Sequence, residues 1–287
     1  MKNKIKIFSI LFLLLATLTS CNLLSDYNET TNNITNKVTE VEDFTIGDFQ
    51  VAMQTAIEKA EASAIAIVHS EGGWMGSSSL GSGVVLKRTA ILKNTSKGEV
   101  DGNIERYDYL AVTNRHVIMT SKNLISTSLK VYVGDSDNVE NAKCVAYSSK
   151  EDLALISFSS TLYIPTATMA DTTNLKKGTF VVAIGSPYSL DYYGSATFGI
   201  VSYPLRYLED KAFILGKKTY DTVENAYIQH DAAINSGNSG GGLFNIEGKL
   251  LGLNTQKLQS DYSDVIEGMG FSIPSYVIIE VFNEYLK

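Results

Sequence analysis

From Ala64 onward, apolar and polar positions alternate with a period of two or run apolar for a few residues. Each run is closed by Gly, Asn, Asp or Ser. That pattern predicts short strands. Ala64–Val68, Leu80–Leu86, Tyr109–Thr113, Leu129–Val133, Ala142–Ala146 and Leu153–Phe158 form a first set, and Phe180–Ile184, Ala196–Ser202, Ala226–His230, Gly248–Asn254 and Met269–Ile273 a second. Two stretches break the rhythm. Ile91–Tyr107 holds a polar tip, Asn94–Asn103, and reads as an exposed hairpin loop, while Tyr203–Glu224 reads as a long, mixed connection. Helical spacing frames the series. Phe49, Ala52, Met53, Ala56, Ile57 and Ala60 fall at three- and four-residue spacings and predict a helix over Asp48–Ala62, opened by Thr45 or Gly47. Pro274–Leu286 starts with proline and carries Val277, Ile278, Val281 and Phe282, which predicts a closing helix. No solenoid-type repeat is present. Short strands with turn signals at roughly ten-residue spacing predict an all-β barrel or sandwich.

The chain begins differently. Lys2, Lys4 and Lys6 precede the apolar run Ile7–Leu18, which is shorter than the ~20 residues of a spanning helix. Leu18-Thr19-Ser20-Cys21 follows and resembles the lipobox of bacterial lipoproteins. The resemblance implies a signal peptide over residues 1–20 and lipidation at Cys21, the new N-terminus. It also implies a membrane anchor on the extracytoplasmic side, stable when two or more acyl chains are attached. Residues 21–45 are polar and read as a flexible tether.

Composition narrows the classes. With 287 residues, 44% hydrophobic and 19% charged, the chain is globular and long enough to bury a sizeable core. A formal net charge of −7 argues against nucleic acid as the main partner. Of the two cysteines, Cys21 belongs to the targeting motif and Cys144 reads as a small buried apolar residue, so no disulfide is expected. The three histidines, His69, His116 and His230, are scattered and there is no CxxC pair. No metal site and no cofactor are therefore expected.

The candidate chemistry centres on Gln229–Phe244, QHDAAINSGNSGGGLF. Glycines 237, 240, 241 and 242 surround Ser239, so the backbone there turns sharply and lets other groups approach closely. A serine in such a turn presents its hydroxyl beside backbone N–H groups, as nucleophilic acyl transfer requires. A free hydroxyl is a weak nucleophile and needs a base. His116 follows a strand and a turn. Asp152 stands immediately before the apolar run Leu153–Ile156, where it is placed to orient a histidine. The order His116, Asp152, Ser239 differs from the Ser, Asp, His order of α/β-hydrolases, and Ser239 lacks their G-x-S-x-G context.

With these residues in hand, the sequence resembles a trypsin-like serine protease of the HtrA/Deg type. The motifs that carry the resemblance are GSGVVL (Gly81–Leu86), VTNRHV (Val112–Val117), DLALI (Asp152–Ile156) and AIGSPYSL (Ala183–Leu190). They continue with FGIVS (Phe198–Ser202), the Gln229–Asn245 segment, LLGLNT (Leu250–Thr255) and GMGFSIP (Gly268–Pro274). The resemblance implies a chymotrypsin-like all-β fold of two six-stranded antiparallel barrels, with a short N-terminal and a C-terminal helix. The protease domain would span residues 46–287, with barrel one over about 64–160 and barrel two over about 165–287. It implies a serine endopeptidase acting on unfolded or exposed polypeptide, with Ser239 as nucleophile, His116 as base and Asp152 as its orienter. It also implies an oxyanion hole from the N–H groups of Gly237 and Ser239. The substrate pocket would be lined by Ala233, Asn235, Ser236, Leu253, Asn254 and Thr255.

The sequence departs from the family in several places. His230 stands where the family often has a small hydroxyl residue, and either packs beside the cleft or tunes the pocket or the pH profile. Tyr203–Glu224 is the candidate for a variable activation loop. The chain ends 13 residues after Pro274, so no PDZ domain is expected. Family members are often trimers built through an N-terminal segment, and Asp48–Ala62 is the segment available for a homotrimer. The alternative reading is a non-catalytic protein-binding or chaperone-like surface lipoprotein on a protease scaffold.

Overall fold

A computed structural model of the chain describes residues 45–71, 78–94, 100–134, 137–213, 220–255 and 268–287. The expected signal peptide, Cys21 and most of the tether lie outside the described residues. The chain divides into two compact units, Met1–Gln50 and Val51–Lys287. The described part of the first unit is the start of helix α1 (Ile46–Glu61). There Thr45 Oγ1 accepts the Asp48 N–H at 3.1 Å, and the Asp48 carboxylate accepts the Thr45 N–H at 2.8 Å. This reciprocal cap satisfies two donors at the helix start and makes Thr45, rather than Gly47, the opening residue. The Thr45 hydroxyl, donating to the Asp48 carboxylate at 2.7 Å, and then the Thr45 N–H hold that carboxyl below its usual range. Further along α1, within the second unit, Met53, Ala56 and Ala60 are buried at the predicted spacing.

Strands β1 (Ala64–Ser70), β2 (Ser78–Asn94), β3 (Val100–Asn114), β4 (Leu129–Tyr132), β5 (Val139–Ser148) and β6 (Leu153–Ser160) close into one antiparallel barrel in the order β1-β2-β3-β6-β5-β4. β7 (Phe180–Gly185), β8 (Ser195–Phe213), β9 (Tyr220–His230), β10 (Gly242–Asn245), β11 (Leu250–Thr255) and β12 (Gly270–Pro274) close into a second, in the order β10-β11-β12-β9-β8-β7. The all-β, two-barrel expectation is met, and closure removes the free sheet edges that invite mispairing. Alternation along the strands sends Ile65, Ile67, Val85, Val131 and Ile156 into the first interior and Val181, Val201, Ile228, Leu243 and Leu251 into the second. Each such aliphatic side chain contributes about 1.5–3 kcal/mol on burial. Helix α2 (Ser275–Leu286) follows β12 without a loop and buries Ile278 and Phe282.

Two expectations are corrected. Within the polar tip Asn94–Asn103, Asn94 and Val100–Asn103 are strand and residues 95–99 lie outside the described residues: β2 and β3 stay paired from Val84 opposite Val112 out to Asn94 opposite Val100, with three register shifts. Likewise Tyr203–Glu224 is no open connection. β8 and β9 pair as far as Phe213 opposite Tyr220, which leaves only residues 214–219 outside the described ribbon. On the described outer parts of β2 and β3, Leu92 and Ile104 lie exposed, so these positions need no apolar partner and lose the signal from which strands are read. A strand of its own, β10, also follows the glycine turn directly, between β7 and β11.

Candidate active site

β3 ends at Asn114 and passes into a single tight helical turn, Arg115–Ile118, which carries His116. Asp152 closes the turn between β5 and β6 with φ +54°, a left-handed conformation uncommon outside glycine and tolerated by Asp. That backbone aims both carboxylate oxygens back at residue 116. Asp152 Oδ1 accepts the His116 N–H at 2.9 Å, and Oδ2 lies 2.6 Å from His116 Nδ1. The Asp152 carbonyl in turn accepts the Arg115 N–H at 3.0 Å and the Asn114 side-chain amide at 3.1 Å. Four bonds from three consecutive residues thus fix one aspartate. A carboxylate only accepts, so the imidazole carries its proton on Nδ1 and offers a free lone pair at Nε2. Burial alone would lower the His116 pKa, but the Asp152 hydrogen bond and charge outweigh it and raise the value above the ordinary one. His116 and Asp152 keep 38% and 33% of their side-chain surface, so the pair is open to a reactant.

Ser239 arrives from the second barrel. It sits in the loop between β9 and β10, 7% exposed, with Gly237 at φ +98° and Gly240 at φ +83° on either side. These positions exclude side chains on space as well as on φ. A Cβ on Gly237 would lie 2.3 Å from the Ser186 carbonyl oxygen, and one on Gly240 would lie 2.2 Å from both the Ser82 carbonyl and Thr113 Oγ1. The same Cβ on Gly240 would lie 3.1 Å from the Asn114 backbone nitrogen, two residues from His116. The Asn238 N–H turns back to the Asn235 carbonyl at 3.0 Å. Among the described residues neither the Gly237 N–H nor the Ser239 N–H donates to a protein acceptor, so both remain available to a ligand oxygen. No hydrogen bond joins Ser239 Oγ to His116 Nε2 among the described residues, so this leg of the constellation is open. Such legs commonly tighten only when a reactant binds.

The two barrels meet through a residue to which the sequence reading assigned no role. Ser82, 0% exposed on β2, donates its hydroxyl to the Gly237 carbonyl at 2.7 Å and accepts the Ser186 N–H at 2.8 Å. Its own N–H donates to the Ser239 carbonyl at 2.8 Å, and its carbonyl accepts the Thr113 hydroxyl at 2.7 Å. One buried serine therefore pins both ends of the turn that carries Ser239. The available signal is its place between two glycines: a Cβ on Gly81 would meet Val117 at 2.4 Å, and one on Gly83 would meet Ile67 at 2.9 Å. Ser82→Ala is expected to slow the reaction of the Ser239 hydroxyl with a fluorophosphonate about 10- to 100-fold, because displacement of a reacting group by ~1 Å costs that order. An unchanged labelling rate would show that the turn holds its shape without the clamp.

The remaining expected residues separate by exposure. Ala233, Asn235 and Ser236 are exposed along the loop before the turn, and Thr255 is half-buried at the end of β11. Leu253 and Asn254 are fully buried, the Asn254 amide donating to the Gly242 carbonyl at 2.9 Å. Cys144 is a free, half-buried thiol beside the first core, and burial pushes its pKa up. His69 is buried near the end of β1. No group of three or more His, Cys, Asp or Glu side chains is placed to hold a metal among the described residues.

His230 is wholly buried at the end of β9, with Nε2 3.0 Å from Ser272 Oγ. Burial lowers its pKa to about 4, against a smaller opposing pull from the Asp231 charge and the Ala232 backbone. The folded state therefore resists a proton that the unfolded chain accepts near pH 6.5. This group's contribution to stability falls as pH drops below about 6.5 and stops falling near pH 4. Thermal midpoints measured from pH 7 to pH 4 are expected to decline less steeply in His230→Gln than in the wild type. Parallel curves would assign the acid sensitivity to other groups.

Comparisons with known proteins identify the family of the chain. The sequence profile described as trypsin-like peptidase domain matches residues 81–253. The Serine protease Do-like HtrA of Lactobacillus helveticus is 36% identical over 219 residues, covering 76% of this chain and 46% of that protein. The Serine protease Do-like HtrA of Bacillus subtilis (strain 168) is 37% identical over 176 residues, covering 61% of this chain and 36% of that protein. Among solved structures, the HtrA-type protease AlgW with tripeptide superposes with a TM-score of 0.57 at 25% identity, covering 82% of this chain and 64% of that one. The chain thus spans less than half the length of these two curated relatives.

Proposed function

The chain belongs to the trypsin-like peptidase family, and from that premise we propose that it is a serine endopeptidase cutting unfolded or exposed polypeptide segments through an acyl-enzyme. The observation that carries the reading is the His116–Asp152 pair at 2.6 Å, facing a glycine turn that presents Ser239. In this reading His116 Nε2 takes the Ser239 proton as Oγ attacks the scissile carbonyl, and then delivers it to the leaving amine. The oxygen of the tetrahedral intermediate accepts from the Gly237 and Ser239 N–H groups, each such donor typically worth about 3 kcal/mol of barrier. Asp152 keeps the proton on Nδ1 and stabilises the imidazolium. Exposed Ala233, Asn235 and Ser236 flank the site of the residue before the cut, and the peptide runs in the cleft between the barrels.

Residues 1–20 act as a signal peptide in this proposal, and Cys21 holds the domain to the extracytoplasmic membrane face through lipid. No helix among the described residues is long and apolar enough to cross a membrane. The test is labelling of the purified protein with a fluorophosphonate probe, mapping of the adduct by mass spectrometry, and cleavage of a denatured protein. An adduct on Ser239 together with cleavage is expected. The open Ser239–His116 leg is the one observation favouring the alternative, a protein-binding lipoprotein on a peptidase scaffold. A folded protein that neither labels nor cleaves would select that alternative.

A further inference from the structure

We propose that His230 is a positioning residue for the Ser239 turn, acting through Ser272 and Asn254; the catalytic half of this inference rests on the peptidase reading above. Asn254 grips the three glycines that follow the serine. Its carbonyl accepts the Gly240 N–H at 2.8 Å, its N–H donates to the Gly241 carbonyl at 2.7 Å, and its side-chain amide donates to the Gly242 carbonyl at 2.9 Å. The third bond fixes which way the amide faces, so Asn254 Oδ1 points away from the turn and accepts the Ser272 hydroxyl at 2.9 Å. That hydroxyl has one proton, and Asn254 takes it. At 3.0 Å from Ser272 Oγ, His230 Nε2 must then be the donor. The ring is thereby assigned as the Nε2–H tautomer, and a directed chain runs from His230 through Ser272 and Asn254 to the backbone beside Ser239.

Two further observations separate this role from simple filling of space. His230 Nδ1 is buried and has no hydrogen-bond partner among the described residues, a cost an apolar side chain of similar size would not carry. The ring also requires a glycine opposite it on β12, since a Cβ on Gly270 would lie 2.5 Å from His230 Cε1. A buried polar ring whose Nδ1 lacks a well-formed hydrogen bond, fitted by a matching glycine, is accounted for by its bond to Ser272. Oriented side-chain networks of this kind preorganise a site by removing alternative rotamers.

The test compares the full protein with His230→Leu, His230→Gln, Ser272→Ala and His230→Leu/Ser272→Ala. Gln places an amide donor near the Nε2 position, Leu removes the donor while filling most of the volume, and the double variant asks whether the two residues act in one chain. Hydrogen exchange at the Gly240 and Gly241 amides reads the turn itself. Fluorophosphonate labelling rates read its chemistry, and thermal midpoints read the global fold. About a tenfold loss of Gly240 protection and of labelling rate is expected in His230→Leu and in Ser272→Ala. The double variant should be no worse than either, and His230→Gln should remain within about threefold of the wild type. Equal local protection in all variants, or additive losses, would reduce His230 to core packing and end the proposal. Should His230→Leu not fold, Ser272→Ala and His230→Gln carry the same comparison. A wild type that never labels would remove the peptidase reading, while the exchange data would still decide whether His230 holds the turn.

Discussion

Ser239→Ala is expected to abolish fluorophosphonate labelling and to lower peptide-bond hydrolysis about 10⁶-fold, leaving the residual rate that an oxyanion site and substrate binding provide on their own. The fold should not notice the change. The link by which Ser239 holds the barrels together runs through its carbonyl to the Ser82 N–H, and alanine keeps that carbonyl. Its Oγ makes no hydrogen bond among the described residues, so stability should stay within about 1 kcal/mol of the wild type. Thermal unfolding beside a cleavage assay separates the two effects. Hydrolysis at the wild-type rate in this variant would place the nucleophile elsewhere and end the acyl-enzyme reading.

Asp152→Asn is expected to cost about 10⁴ in kcat, the order found when the orienting carboxylate of such a triad becomes an amide. The geometry says why. Asp152 serves two donors, the His116 N–H at Oδ1 and the ring at Oδ2. Asparagine has one oxygen for the two positions. The backbone N–H cannot change its role, so the oxygen faces it and the NH₂ faces Nδ1. The ring then accepts at Nδ1 and carries its proton on Nε2, where a base must be bare. The pH profile should move as well. In the wild type the Asp152 hydrogen bond and charge raise the His116 pKa against the opposing effect of burial. Activity needs the neutral ring, so it is lost as pH falls through a midpoint above the ordinary 6.5. The pairing contributes to stability below pH 6.5 and is lost as pH rises through the raised pKa. In Asp152→Asn the acid limb should shift downward. A loss under tenfold, or an acid limb that does not move, would mean that Asp152 does not govern the tautomer.

What the sequence discloses depends on which physical constraint acts on each stretch. Strands that wall the barrels must alternate or run apolar, so Leu153–Phe158 and Phe180–Ile184 are readable within a few residues of their observed bounds. Leu92, Ile104 and Tyr207, in the outer parts of β2, β3 and β8, lie exposed and give no strand signal, and so the two long ribbons read as a loop and a connection. At the site, the order of His116, Asp152 and Ser239 is visible in the residue types. The contact between the first two depends on a left-handed backbone at Asp152, which no periodicity announces. Ser82 is harder still. Its role consists of bonds to residues more than a hundred positions away, and a serine between glycines has many ordinary explanations. His230 stood out only as a departure. Its partners Ser272 and Asn254 come together because β9, β12 and β11 are neighbours in the second barrel.

The interlock of Ser82 with the Ser239 turn bears on how such a chain tolerates recombination. Gly240 is bare because the Ser82 carbonyl and the Thr113 hydroxyl occupy the space a side chain would need, while Ser82 is useful only if the Gly237 and Ser239 carbonyls face it. The two halves therefore resemble a lock and key cut as a pair. A chimera joining the first barrel of one homologue to the second of another would inherit an intact His116–Asp152 pair from one parent and an intact serine turn from the other. It would work only where both parents share the matched positions 82, 113, 237 and 240. Across a set of shuffled chains, activity should follow that small matched set more closely than overall parental identity.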